Sequence, residues 1–160
     1  MKASDEKTNV MRTLDRLKLD YKAYCYVDSG VISGVDVAHV MNQNPDKVFK
    51  TLVTSGKSGK NYVFVIPSPN ELDLKKAAAC VGEKSIEMLK SKDLLPLTGY
   101  IHGGCSPIGM KKFFHTVIHK TAADFDTIFF SAGKIGYQVE MKAEDLAKAI
   151  KFDYGDLTVQ

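Results

Sequence analysis

Val10, Met11, Leu14 and Leu17 recur at helical spacing, and Thr8 or Asn9 just ahead of them can cap the start. The pattern predicts a helix over 8–19. Tyr21–Val27 reads as a strand, Ser29–Gly34 as a loop, and Asp36 can cap a short helix running through Met41. After the Asn44-Pro45-Asp46 break, Val48–Thr54 and Asn61–Pro67 carry the clearest strand signals. They are joined by the polar loop Ser55–Lys60, which predicts a hairpin. Asp73 caps a helix through Val81, and Gly82 ends it. A strand over Lys84–Leu89, a short helix over Ser91–Leu97 and a Gly-rich loop over His102–Gly109 follow. Phe113–His119, Thr127–Ser131 and Tyr137–Met141 are strands, Ala143–Ile150 is a closing helix, and Asp153–Gln160 reads as a tail.

Helices and strands are intermixed without a regular βαβα alternation. The expected fold is mixed α/β: one domain over residues 1–152, with a curved mixed sheet surrounded by helices, and a tail over 153–160. At 160 residues the chain is long enough for one core. No apolar run approaches the roughly 20 residues that span a bilayer, and Met1–Thr8 lacks the apolar stretch of a secretory signal. A cytoplasmic location is expected. Cys25, Cys80 and Cys105 form no CxxC pair, so reduced thiols are expected rather than a disulfide framework. The net charge of +3 is too small to demonstrate nucleic-acid binding by itself. The lysines cluster locally at 57–60, 75–76 and 111–112, which suits either a solvated surface or a transient RNA partner.

Three segments can carry chemistry. Lys50 sits among apolar neighbours in the middle of a strand, where an ammonium group needs water, a partner or a ligand; an edge-strand lysine that blocks aggregation is the plainer alternative. The loop His102-Gly103-Gly104-Cys105-Ser106-Pro107-Ile108-Gly109 allows backbone N–H groups to approach a ligand closely, or is simply a tight connection. Ser131-Ala132-Gly133-Lys134-Ile135-Gly136 is a second loop after a strand, presenting Ser131 or merely closing a hairpin. His115 and His119 share a strand face with no further ligand at metal spacing, and no metal site or cofactor is expected. Cys105 has no assigned base beside it and makes a poor candidate nucleophile.

Taken in order, Val48-Phe49-Lys50-Thr51-Leu52, Leu72-Asp73-Leu74-Lys75-Lys76, Gly103 to Gly109 and Ser131 to Gly136 resemble the YbaK/EbsC family of aminoacyl-tRNA deacylases. The resemblance runs from about residue 8 to 150 and is strongest to the Cys-tRNA(Pro) deacylase branch. It implies an enzyme that clears mischarged tRNA(Pro) in trans, with prolyl-tRNA synthetase as a partner and the tRNA acceptor end as ligand. It carries catalytic roles onto Lys50, Gly103 and Ser131, and substrate binding onto Tyr26, Thr51, Gly104, Ser106 and Gly133. It also implies that the cysteinyl thiol attacks its own ester, the protein supplying proximity and electrostatic stabilisation. Ala132 stands where relatives often have glycine, and Gln138 where some carry an acid. A deacylase for another small amino acid such as alanine, or a non-catalytic accessory binding tRNA or a synthetase, are the alternatives.

Overall fold

The first three helices begin where short polar side chains satisfy their free N–H groups. In the computed structural model, which describes residues 2–3 and 7–159, Thr8 Oγ1 accepts the Met11 N–H ahead of α1 (Asn9–Arg16). α1 stops before the expected Leu19 because Lys18 turns left-handed and the Leu19 N–H returns to the Leu14 carbonyl. Ser33, not Asp36, caps α2 (Gly34–Val40); Asp36 lies within its first turn. A 3-10 turn, Val27–Ser29, takes the last residue of the expected strand and the first of the expected loop. Asp73 caps α3 (Leu74–Val81) through the N–H groups of Lys75 and Lys76, and Gly82 closes it left-handed, as the sequence predicts. α4 (Ser91–Thr98) and α5 (Ala143–Leu146) complete the helices, α5 being shorter than expected.

The fold is the mixed α/β domain expected, and its strands divide into two sheets. One is antiparallel, in the order β1 (Lys2–Ala3), β2 (Lys22–Cys25), β8 (Tyr137–Met141), β7 (Ile128–Ser131). The other runs β5 (Ile86–Met88), β3 (Phe49–Gly56), β4 (Asn61–Pro67), β6 (His115–His119), β9 (Asp153–Gly155). β3 and β4 make the predicted hairpin, whereas β4–β6 and β6–β9 are parallel. The sheets meet at a parallel bridge between Val48 and Phe129. Asp153–Gly155, expected in a tail, is therefore a strand; Met1, residues 4–6 and Gln160 lie outside the described residues.

Strand alternation divides the core. Phe49 and Val53 of β3 join Val10, Met11, Leu14, Phe130 and Val139 between the sheets. Leu52 packs on the opposite face against a cluster containing Phe64, Ile66, Ala77 and Leu157. Lys50 shares that second face, opposite Ile66. Among the described residues no helix is long and apolar enough to cross a membrane.

Candidate active site

Beyond the Val48–Phe129 bridge, β3 and β7 run on in different sheets without pairing. A cavity of ≈ 720 Å³ opens in the fork. Its size falls within the roughly 300–1,000 Å³ that takes a drug-sized ligand and exceeds what a small amino acid alone would fill. β3 contributes Phe49 to Val53, β7 contributes Phe130 and Ser131, and the β5–α4 corner contributes Met88, Leu89 and Leu94. Tyr26, the start of α2, His102 and Gly103 close the remaining sides.

Among the described residues, Lys50 is the one lysine in this wall, and no carboxylate lines it. Burial lowers the Lys50 pKa below the ordinary lysine value, with Glu71 acting in the opposite direction. Lys50 thus brings a half-buried side chain to the cavity wall, where its charge favours an anionic or strongly polar ligand. Gly103 lies at φ 86°, and a Cβ there would stand 2.3 Å from Ile32 Cγ2, so both conformation and space call for glycine. Ser131 ends β7, and its Oγ accepts the Gly133 N–H at 3.1 Å.

The structure thus brings Lys50, Gly103, Ser131, Tyr26 and Thr51 to one cavity. It does not bring Gly104, Ser106 or Gly133 to the wall. The Gly104 N–H is already given to the Ile101 carbonyl at 3.0 Å, closing the turn. Ser106 is fully buried and accepts the Ile108 N–H. Gly133 packs against Tyr100 and Val10, where its own missing side chain makes room.

Other lining residues were not assigned from sequence. Gln138 is buried beside the cavity and exchanges amide hydrogen bonds with Gln43 at 2.9 and 3.3 Å. A glutamine between Tyr137 and Val139 was a visible signal, but its partner 95 residues away was not. Ser68 anchors to the Val48 carbonyl and fits only because position 34 is glycine.

Cys105 also lines the cavity, and burial pushes its thiol up to about 12. The thiol is therefore neutral near pH 7 and gives almost no thiolate. Cys105→Ser is expected to keep turnover within severalfold of wild type, measured as release of amino acid from charged tRNA. A dead variant would make Cys105 the nucleophile.

Residues 30–149 match the model of the aminoacyl-tRNA editing domain. This chain belongs to that family. Editing domains remove an amino acid wrongly esterified to tRNA, and this editing domain does so with the fork between β3 and β7 as its candidate site. Over 160 residues it is 42% identical to the "Putative Cys-tRNA(Pro)/Cys-tRNA(Cys) deacylase EbsC" of Enterococcus faecalis (strain ATCC 700802 / V583), covering 99% of this chain and 98% of that one. It is 30% identical over 77 residues to a proline–tRNA ligase of Pelobacter propionicus (strain DSM 2379 / NBRC 103807 / OttBd1), covering 48% of this chain and 13% of the ligase. A solved structure described as "a putative trans-editing enzyme for prolyl tRNA synthetase" has the same fold, with a TM-score of 0.83 at 19% identity over 97% of this chain and all of that one.

Proposed function

We propose that this editing domain acts in trans as a deacylase of Cys-tRNA(Pro). The full-length similarity to EbsC supports the substrate, and the cavity supports the chemistry. The observation that carries the reading is a cavity with a cation and a glycine turn but no activated nucleophile. Among the described residues no histidine or carboxylate hydrogen-bonds Ser131, Ser106 is sealed away, and the Cys105 thiol is held neutral. The substrate then supplies the nucleophile. The cysteinyl sulfur attacks its own ester carbonyl; the C–S bond forms as the C–O bond to the tRNA ribose breaks. The thiol proton ends on the ribose oxygen, and water opens the resulting cyclic thioester to free cysteine.

Lys50 would lie against the 3′ end of the tRNA near the ester, and Gly103 against the aminoacyl group. Ser131 and Tyr26 would bound the amino-acid side. The cavity's size leaves room for the terminal nucleoside beside the amino acid. With a net charge of only +3, tRNA binding by this chain alone is weak and salt-sensitive, and prolyl-tRNA synthetase is the expected source of tRNA selectivity.

Hydrolysis of Cys-, Ala- and Pro-tRNA(Pro) by the purified protein tests the reading. Preferential loss of the cysteinyl ester is expected. Preferential loss of the alanyl ester would change the substrate and rule out the thiol mechanism. No hydrolysis, with prolyl-tRNA synthetase present, would leave a binding role only.

A further inference from the structure

Five consecutive residues of β3, Phe49 to Val53, line the cavity. A cavity pressed on one face of a strand meets alternate residues; one running along the strand's edge meets all of them. The hydrogen-bond register says which backbone groups face that edge. The Ser68 N–H donates to the Val48 carbonyl at 2.7 Å, and the Gly56 N–H to the Lys60 carbonyl at 2.8 Å. Hydrogen-bonded positions alternate in an antiparallel ladder. Lys50, Leu52 and Thr54 therefore turn their backbone groups toward β4, whereas Phe49, Thr51 and Val53 turn theirs away from it.

On that outer edge, β5 covers Thr54–Gly56, and the Leu89 N–H takes the Val53 carbonyl at 3.0 Å. At the other end stands the Val48–Phe129 bridge. Between the two covers, no strand among the described residues pairs with Thr51 on this edge, and its N–H and carbonyl face the fork. Thr51 Oγ1 is buried and has no hydrogen-bond partner among the described residues. Three polar groups of one residue are thus left for whatever enters the cavity, and a backbone pair that a ligand shields from water calls for partners.

We propose that Thr51 reads the aminoacyl group as though it were one residue of a missing neighbouring strand. The Thr51 carbonyl accepts an N–H of the substrate's α-ammonium, and the Thr51 N–H donates to the ester carbonyl oxygen. Facing residues of an antiparallel ladder exchange this same pair of bonds, and an esterified amino acid carries its nitrogen and carbonyl in the same relation. The second bond also polarises the ester toward attack. Facing residues share a side of the sheet, so an L side chain points with Thr51, Phe49 and Val53 toward the core-facing wall, beside the unpartnered hydroxyl. This inference rests on the deacylase reading and adds to it the group that recognises the amino acid.

Thr51→Pro tests it on the protein. Proline removes the Thr51 N–H from the outer edge and takes none from the β4 ladder, an edge position that proline tolerates. Loss of kcat/KM by about 10²-fold, the usual effect of losing a donor to a reacting carbonyl, is expected. Thr51→Val, which lacks only the hydroxyl, falls less far. A folded Thr51→Pro protein with wild-type turnover would overturn the proposal. Should that variant fail to fold, tRNA(Pro) acylated with 3-mercaptopropionate decides. It keeps the thiol and lacks the α-amino group. Acceleration over its own spontaneous rate at least tenfold below that of the cysteinyl ester supports the proposal, and equal acceleration overturns it while leaving the deacylase intact. If wild type cleaves no cysteinyl ester, the deacylase reading fails, and the proposal with it.

Discussion

Lys50→Ala is expected to lower deacylation of Cys-tRNA(Pro) by about 10²–10³, the range for removing one preorganised electrostatic contact from a reacting centre, with no loss of thermal stability. The two halves have the same cause. β3 holds Lys50 opposite Ile66 on an apolar face, where the side chain is half-buried. Burial depresses its pKa, and Glu71 offsets part of the shift. The folded state therefore disfavours the charged form relative to the unfolded chain. Below the ordinary lysine value near 10.5 this works against folding, and the handicap is relieved as pH rises through the window between folded and unfolded values. Removing the ammonium removes that handicap, so Lys50→Ala should melt no lower than wild type. Activity has the opposite pH dependence. It needs the ammonium, so it should fall as pH rises through the depressed folded value, below 10.5, when the rate of Lys50→Ala is subtracted as baseline. Wild-type turnover in the variant would remove Lys50 from the mechanism and make it an edge-blocking lysine.

That residue shows how far sequence reasoning reaches. A lysine between Phe49 and Thr51 in a β pattern announces an anomaly, and the hairpin partner that gives it a face is only a few residues away. Local signals of this kind survive folding: Thr8 and Asp73 cap the helices expected of them, and Gly82 ends α3. What was not legible depends on contacts between distant segments. The division into two sheets follows from β2 pairing with β8, more than a hundred residues later, and no pattern within either strand encodes that choice. Gly104 and Ser106 look as available as Gly103 in the sequence. Only the fold shows that the Ile101 carbonyl takes the Gly104 N–H and that Ser106 turns inward. The exposed edge at Thr51 is likewise a property of register, fixed by where β5 stops. Parallel pairing is the hardest case because it has no hairpin turn to mark it. Asp153-Tyr154-Gly155 is too short to show alternation, and its partner β6 lies 36 residues upstream (153 minus 117), so it reads as a tail.

Truncation after Phe152 is expected to abolish stable folding, and Leu157→Ala alone to cost about 2–5 kcal/mol. β9 adds the last strand to the larger sheet, with Val117, Ile118 and His119 facing Asp153, Tyr154 and Gly155. Leu157 then enters the second core completely, against a cluster that includes Phe64, Ile66 and Ala77. Polar contacts fasten the segment on both sides. Its carbonyl takes the Asp73 N–H at 2.7 Å, the Val159 N–H reaches the Glu71 carbonyl at 3.0 Å, and Lys76 Nζ donates to the Thr158 carbonyl at 2.9 Å. Glu71 is the residue whose charge opposes the desolvation of Lys50, so the strap also holds a group that acts on the site. For a chain of this size the Leu157→Ala cost corresponds to a melting shift of roughly 4–20 °C, readable by calorimetry. The fastening has a pH limit. The Leu157 N–H donates to His119 Nδ1 at 3.1 Å, which needs that nitrogen unprotonated. Burial lowers the His119 pKa below its ordinary 6.5, against an upward pull from Asp156. The contribution is therefore complete above about pH 6.5 and is lost as pH falls through the lower folded value. His119→Gln should flatten this part of the melting curve's pH dependence. A truncated protein that melts within a degree or two of wild type would mean that the first eight strands hold the core without the ninth.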